Sequence, residues 1–277
     1  MTIQWYPGHM TKAKRQIQEA LKLVDGLLEV VDARVPSSSR NPDLLELTAK
    51  PRIIVLTKTD LADPAKTKEW LDFWQSQSER AVGVNLLQGR GVGQLRNVVA
   101  RTFAGSRRQP RLLVVGIPNV GKSALINALT RKKGAQVGAR PGVTRGKQWL
   151  SGGGMLLLDS PGILWPRFED QETARRLAAV AAIRDEVLDQ AGLASWLLNW
   201  LREHYPQGLQ ERYGRLEAPS ALEEIGRKRG CLLPGGEVDL HQAAAFVLKD
   251  FRTGKLGAVT LDQSPSEVQG CKNWKNT

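Results

Sequence analysis

The chain has 277 residues, of which 41% are hydrophobic and 25% charged, and its formal net charge is +12 at pH 7. This length allows one core of roughly 150 to 170 residues plus a smaller domain, and the composition is that of a soluble globular protein. The first residues lack an apolar signal region and the longest apolar stretch, 191–201, is too short to span a bilayer. We therefore exclude a membrane segment and expect a cytoplasmic protein, in which Cys231 and Cys271 are free thiols.

The first part of the sequence alternates strand patterns with helix patterns. Short apolar runs predict strands at 27–31, 52–56, 81–84, 111–115 and 155–158. Helical spacing predicts a helix capped by Thr11, a helix capped by Asp63, a helix after the glycine-rich segment 88–93 and a helix at 122–130. This alternation predicts a mostly parallel sheet with helices on both faces, which binds its ligands at the carboxyl ends of the strands.

After Pro166 the sequence has helical patterns alone. They cover residues 172–183, 188–202, 221–228 and 240–251, with breakers at 206–208 and 234–236. We therefore expect an α/β domain at residues 1–166 and a small all-helical domain at 167–277, whose tail after Gly257 is loosely ordered.

A phosphate-binding loop of the pattern G-x-x-x-x-G-K-S lies at residues 116–123. Its backbone N–H groups and the positive end of the following helix point at phosphates. Lys122 is expected to reach the β- and γ-phosphates, and the Ser123 hydroxyl to bind Mg²⁺. The nucleotide-binding residues predicted here are Asn119, Val120, Gly121, Lys122, Ser123 and Ala124.

The tetrapeptide Thr57-Lys58-Thr59-Asp60 selects the base. The Asp60 carboxylate can accept hydrogen bonds from the ring N–H and the exocyclic amine of guanine, and adenine lacks that pair of donors. The stem of Lys58 can lie over the base. Thr57 stands where Asn is usual, which keeps an oxygen but loses an amide.

The segment Asp159-Ser160-Pro161-Gly162 has the D-x-x-G pattern of a nucleotide switch. Asp159 is expected to hold Mg²⁺ through water, the Gly162 N–H to bond the γ-phosphate, and Thr144 to add a second protein oxygen to the metal. Ile163 replaces the Gln that positions water in many GTPases, which predicts slow intrinsic hydrolysis or another catalytic group. Asn119 is a candidate for holding a monovalent cation, or else a loop-capping amide.

The order of these motifs is unusual, because the guanine loop precedes the phosphate loop. In an ordinary GTPase the phosphate loop comes first. The fold class predicted is therefore a circularly permuted P-loop GTPase domain, α/β in type, followed by the helical domain.

The basic charge is concentrated in the first part of the chain. Residues 1–165 carry 25 Lys and Arg against 12 Asp and Glu, whereas residues 166–277 carry 15 against 16. Arg107, Arg108, Arg131, Lys132 and Lys133 have no role in a nucleotide site. A polyanion such as RNA is the expected partner, and a merely soluble basic surface is the alternative.

The sequence resembles the ribosome biogenesis GTPase A family. The resemblance rests on the segments Trp5-Tyr6-Pro7-Gly8-His9-Met10, Asp32-Ala33-Arg34-Val35-Pro36, Arg140-Pro141-Gly142-Val143-Thr144, residues 116–123 and residues 159–166, and continues at residues 203–206, 212–214 and 228–231. It implies GTP hydrolysis, with Mg²⁺, stimulated by the ribosome and by K⁺, in assembly of the large ribosomal subunit and in contact with its rRNA. It also implies that His9 joins Lys122 and Thr144 in catalysis, and that Asn85 and Leu86 form the last guanine loop. Leu86 stands where the family often has Ser.

Two other functions stay open from the sequence. A P-loop nucleoside kinase or ATPase would share the phosphate loop, and the guanine tetrapeptide argues against it. An RNA-binding scaffold whose GTP site turns over too slowly to matter is the second alternative, because of Ile163.

Overall fold

The computed structural model describes residues 9–41, 47–130, 149–162, 164, 170–217 and 219–265, with side chains from residue 15 onward. Within these residues one sheet has the strand order β3-β2-β1-β4-β6-β5. The strands are β1 (Gly26–Asp32), β2 (Arg52–Thr57), β3 (Arg80–Gly83), β4 (Arg111–Val115), β5 (Trp149–Gly152) and β6 (Met155–Asp159). Neighbouring strands run parallel, except that β5 pairs antiparallel with β6. The predicted mostly parallel sheet is confirmed.

Helices follow most of the strands and then continue alone. They are α1 (His9–Leu21), α2 (Pro64–Ser76), α3 (Val92–Thr102), α4 (Lys122–Thr130), α5 (Gln171–Ala179), α6 (Gln190–His204), α7 (Pro206–Tyr213), α8 (Ala221–Arg229) and α9 (Leu240–Arg252). Aspartate side chains at residues 63, 170, 189 and 239 cap α2, α5, α6 and α9 by accepting backbone N–H groups. No helix among the described residues is long and apolar enough to cross a bilayer.

The central strands are buried on both faces because helices cover both sides of the sheet. On one face, Leu28 and Val30 of β1 belong to a core that includes α3 and α4 and continues into the helical region through Ala174 and Leu177. On the other face, α1 packs against one end of the sheet and α2 against the other, each with its own apolar cluster. Successive strand residues alternate between these cores, so a one-residue shift in register would exchange the side chains of the two faces.

Three local predictions were wrong, and one strand was not predicted. The helix predicted from a Thr11 cap begins at His9. Pro206, interpreted as part of a breaker, begins α7, because proline fits the first helical position, where its missing N–H is not needed. The strand β5 was not predicted; Gly153 and Gly154 form its turn to β6, with φ values of 60° and 81°.

The fourth difference concerns the residues after Gly257, which were expected to be loosely ordered; those from 266 onward lie outside the described residues. Residues 259–262, called the C-terminal strap here, are buried. The strap packs on the loops after β1 and β2, with Val259 N–H donating to Leu61 O at 3.0 Å and Leu261 N–H to Arg34 O at 2.7 Å. Its order comes from these long-range hydrogen bonds, which local sequence patterns do not reveal.

Candidate nucleotide-binding site

The predicted nucleotide motifs follow adjacent strands at one edge of the sheet. The register pairs Asp32 with Thr57 at the ends of β1 and β2, and Val114 with Asp159 near the ends of β4 and β6. Val115, the last residue of β4, lies beside Glu29, so β1 and β2 extend about three residues further at the same edge. The structure therefore brings together the guanine loop (residues 57–60), the phosphate loop (residues 116–123) and the segment from Asp159 to Gly162.

The phosphate loop makes a tight turn between β4 and α4. A Cβ on Gly116 would lie 2.4 Å from Val30 O, so only glycine fits against the neighbouring strand. Asn119 and Gly121 have positive φ angles of 57° and 103°. Ser123 and Ala124, in the first turn of α4, are exposed. The loop thus directs a free helix N-terminus and an accessible hydroxyl toward solvent, an arrangement that suits an anion and a metal ion.

Lys122 folds back over the phosphate loop. Its Nζ donates to Ile117 O at 2.8 Å and to Gly116 O at 3.2 Å. Burial lowers the pKa of this ammonium to about 8, and the charge of Asp159 opposes that shift. None of the described carboxylates forms an ion pair with this ammonium, and a phosphate would provide a closer counter-charge than Asp159.

Gly162 packs directly against the phosphate loop. A Cβ there would lie 2.9 Å from Pro118 N and 3.0 Å from Lys122 Nζ, so a side chain would collide with the loop. Ser160 holds this segment by donating from its hydroxyl to Val114 O at 2.7 Å. The carboxylate of Asp159 is exposed. These contacts place the Gly162 backbone beside the lysine that is expected to meet the phosphates.

The guanine loop is hydrogen-bonded to the phosphate loop. The buried Thr57 hydroxyl lies 2.6 Å from Val120 O and 3.0 Å from Val31 O, which gives this residue a structural role despite its departure from Asn. Lys58, at φ 57°, donates from Nζ to Asn119 O at 2.8 Å. Base loop and phosphate loop are thereby held at a fixed separation.

The remaining residues of the guanine loop are accessible. Asp60 is exposed, and its carboxylate has no hydrogen-bond or ion-pair partner among the described residues. Thr59 is half-buried, close to Gly83 at the end of β3. The carboxylate is therefore free to accept two hydrogen bonds from a ligand.

Asp32, at the end of β1, was not predicted as a site residue. Its buried carboxylate accepts from Arg34 Nε at 2.9 Å, Arg34 Nη2 at 2.7 Å and Lys58 Nζ at 2.9 Å. Burial alone would raise its pKa, but the charges and hydrogen bonds of Arg34 and then Lys58 lower it to about 2. The sequence signal is a carboxylate directly after a buried strand, with an arginine two residues later.

Asn85 shapes the loop after β3. Its Oδ1 accepts from Leu87 N and Gln88 N, both at 3.1 Å, so the side chain is committed to the loop itself. Leu86 is partly buried against the core. The Leu86 N–H is not among the donors that Asn85 takes up, so a backbone contact to the base remains compatible with this loop.

The Asn119 side chain contacts the helical region. Its Nδ2 donates to Ala181 O at 2.7 Å, just beyond the end of α5. This supports the loop-capping interpretation of the amide, while its Oδ1 is the atom left for a monovalent cation.

Several predicted site residues lie outside what the structure describes. Thr144, Ile163 and the basic residues 131–133 are outside the described residues, as is the side chain of His9, whose backbone begins α1. Among the described residues no group of three or more His, Cys, Asp or Glu could hold a metal ion. The described side chains that could contribute to a divalent ion are the Ser123 hydroxyl and, through water, the Asp159 carboxylate. These oxygens, with those of water and phosphate, are the hard ligands that Mg²⁺ prefers.

A known family matches the middle of the chain. The family described as "50S ribosome-binding GTPase" matches residues 111–214. The match begins with β4, which leads into the phosphate loop. The guanine loop lies outside the match, on its N-terminal side. This is the pattern expected when a permuted chain is compared with the ordinary motif order.

Other similarities extend over nearly the whole chain. "Ribosome biogenesis GTPase A" of Priestia megaterium is 46% identical over 286 residues, which cover 97% of this chain and 99% of that protein. A GDP-bound structure of YlqF is 29% identical, with a TM-score of 0.70 over 91% of this chain and 100% of that one. A GNP-bound YlqF from T. maritima is 30% identical, with a TM-score of 0.68 over 92% of this chain and 99% of that one.

Proposed function

Because the chain belongs to the ribosome biogenesis GTPase A family, we propose that it uses the carboxyl edge of its sheet to bind and hydrolyse GTP during assembly of the large ribosomal subunit. The chain is a GTPase; its site residues, its ions and its ribosomal partner are the proposal. One observation supports the site above all. Thr57 and Lys58 bond the guanine loop to the phosphate loop, so a base position and a phosphate position lie at one fixed separation.

Asp60 selects guanine in this proposal. Its exposed carboxylate pairs with the two guanine donors, while Lys58 and the loop of Asn85 and Leu86 flank the base. Competition between GTP and ATP for the wild-type protein tests this against a kinase or ATPase, and equal binding would contradict it. Changing Asp60→Asn replaces an acceptor with a donor, so the variant should favour xanthine over guanine nucleotides.

The phosphates occupy the loop at residues 116–123. Its backbone N–H groups and Lys122 bind phosphate oxygens, and Gly162 presents its N–H to the γ-phosphate without a side chain to obstruct it. Mg²⁺ supplies charge neutralisation on the phosphates when bound; Ser123 and Thr144 would hold it directly and Asp159 through water. Turnover should be abolished in Lys122→Ala and in Ser123→Ala, and undiminished turnover in both would exclude this loop as the active site.

Hydrolysis is slow in the free protein and is stimulated by ribosomal subunits and by K⁺. Ile163 stands where a water-positioning Gln is common, so His9 is proposed to supply that role, and Asn119 Oδ1 to contact K⁺. His9→Ala should then lower stimulated turnover more than GTP affinity, because the group acts mainly in the transition state. Turnover measured with and without subunits, in K⁺ and in Na⁺, separates this enzyme from a scaffold with a slow GTP timer.

The ribosomal partner is inferred from charge and from the family. In this proposal the rRNA phosphates contact five basic residues of the first part: Arg107, Arg108, Arg131, Lys132 and Lys133. The helical domain adds contacts that depend on shape. We place the domain boundary after residue 166 and the protein in the cytoplasm, where ribosomes assemble. Sedimentation with large subunits in GTP, GDP and a non-hydrolysable analogue tests the partner: co-sedimentation should be strongest with the analogue, and equal recovery in all three nucleotides would contradict a GTP-controlled assembly factor.

A further inference from the structure

We propose that Asp32 is a positioning residue of the nucleotide site, and that its carboxylate acts through Lys58 to hold the guanine loop and the phosphate loop in one geometry. This inference rests on the nucleotide site proposed above, and adds to it a residue that would touch neither base nor phosphate.

Two hydrogen bonds through Lys58 connect Asp32 with the phosphate loop. The Asp32 carboxylate lies 2.9 Å from Lys58 Nζ, and the same nitrogen lies 2.8 Å from Asn119 O in the phosphate loop. One ammonium thus bridges the end of β1 and the loop after β4. A lysine stem has several rotatable bonds, so two acceptors for its ammonium restrict the path of the stem more than one does.

The path of the stem matters because Lys58 follows β2 in a left-handed backbone conformation, at φ 57°. In the proposed site its methylene groups lie along the base. If the carboxylate of Asp32 is lost, the ammonium keeps one neutral acceptor and is free to turn toward solvent, since the side chain is 26% exposed. The base then loses its support, and Asn119 loses a charged donor on its carbonyl.

Asp32 is itself held in place by hydrogen bonds of its side chain and its backbone. Arg34 donates to its carboxylate through two side-chain nitrogens, and also through its backbone N–H at 3.1 Å. The Asp32 N–H donates to Ser39 Oγ at 3.0 Å. The guanidinium of Arg34 lies over the ring of Phe251 at 5.5 Å. Such support keeps the carboxylate in one orientation, as positioning requires.

Glu29 provides a matched comparison on the same strand. It is as buried as Asp32, each being 1% exposed. Its carboxylate pairs with Arg40 at 3.0 Å and Arg52 at 3.2 Å. Among the described residues, its side chain forms no hydrogen bond or ion pair with the guanine loop or the phosphate loop. Glu29→Gln therefore weakens a buried ion cluster of similar kind without touching the proposed nucleotide path.

A double-mutant cycle tests the proposal. Dissociation constants for fluorescent GDP are measured for wild type, Asp32→Asn, Lys58→Met and the double variant, with Glu29→Gln as control. Asp32→Asn alone should weaken binding roughly tenfold or more, the loss expected for a charge-assisted hydrogen bond. In the Lys58→Met background it should weaken binding no further, because the carboxylate has no ammonium left to place. Glu29→Gln should lower the urea midpoint and leave the dissociation constant unchanged.

Each other outcome has a distinct meaning. Equal loss with and without Lys58 would show that Asp32 acts through the fold alone, and wild-type affinity in Asp32→Asn would also overturn the proposal. Absence of GDP binding by the wild-type protein would instead overturn the nucleotide site itself. If Asp32→Asn does not fold, Asp32→Glu replaces it. That change keeps the charge but displaces the ammonium, so several-fold weaker binding is expected, and only while Lys58 is present.

Discussion

The ammonium of Lys122 is buried among carbonyl groups of the phosphate loop, and this burial lowers its pKa to about 8. A lysine in this state is charged at neutral pH but loses its proton in mild alkali. Phosphate oxygens beside Nζ would stabilise the ammonium and raise its pKa. At pH values where Lys122 of the free protein is deprotonated, nucleotide binding must therefore be accompanied by uptake of a proton.

We therefore expect GDP affinity to fall as the pH rises above 8, by up to roughly tenfold per pH unit until the pKa of the bound state is reached. Lys122→Arg is the control, because a guanidinium keeps its charge throughout this range. Guanine itself deprotonates in alkali, which weakens binding to both proteins. The contribution of Lys122 is therefore the difference between the pH profiles of GDP affinity for the wild type and for Lys122→Arg, measured by fluorescence titration. Parallel profiles would contradict the role of this lysine.

Helix α5 ends in a motif that normally contains glycine. Ala182 N–H donates to Leu177 O at 2.9 Å and Ala181 N–H to Ala178 O at 3.0 Å, and Ala181 is left-handed at φ 63°. This is why the helix ends at Ala179, although the apolar spacing continues to residue 183. The carbonyl of Ala181 then faces outward and accepts from Asn119, so the cap connects α5 with the phosphate loop.

Ala181→Gly should stabilise the protein by roughly 1 kcal/mol, because glycine adopts this backbone conformation without a Cβ penalty. Urea unfolding measures the change. Ala178→Gly, inside α5, is the matched control and should destabilise by a similar amount or more. Nucleotide affinity should be unchanged in Ala181→Gly, since the carbonyl that Asn119 contacts is retained. A lower urea midpoint for Ala181→Gly than for the wild type would contradict the inference that Ala181 is strained in its left-handed conformation.

Sequence patterns located most of these elements but not the contacts between them. The central strands and α4 were predicted because long apolar runs and a phosphate-loop motif are local signals. The bond from Lys58 to Asn119 joins residues far apart in sequence, so only the sheet order reveals it. Pro206 was misinterpreted for a different reason: a proline begins a helix as readily as it ends one.

Over the whole molecule, the charge is separated between the two parts of the chain. Residues 105–110, which connect α3 with β4, are mostly exposed, although Arg108 pairs with Asp25 at 2.8 Å. Arg107 in the same linker has no ion-pair partner among the described residues, and it is available to a polyanion. The rRNA contact proposed for this surface should therefore depend strongly on salt.

Replacing Arg131, Lys132 and Lys133 by Ala should weaken binding to large subunits and flatten its salt dependence, because fewer counterions are released. Free GTP affinity should be nearly unchanged. The control variant replaces Arg15, Lys66 and Lys68 by Ala. It removes the same total charge from helices that also carry acidic residues, so its subunit binding should depend on salt as strongly as that of the wild type. Sedimentation over a range of KCl concentrations measures both. Lost GTP binding with retained subunit binding would assign residues 131–133 to the nucleotide site.

The C-terminal strap has a consequence for the timing of synthesis. Asp262 accepts hydrogen bonds from Ser37 N and Ser38 N, and Thr260 accepts one from Asp63 N. The strap therefore supplies hydrogen-bond acceptors to the loops after β1 and β2, which are translated much earlier. About 200 residues separate Asp63 from Asp262, which at ~5–20 residues per second is roughly 10–40 s of translation. Throughout that interval these N–H groups lack the acceptors that the strap provides. The nascent chain therefore cannot complete the loops behind its guanine site until residue 262 has been translated.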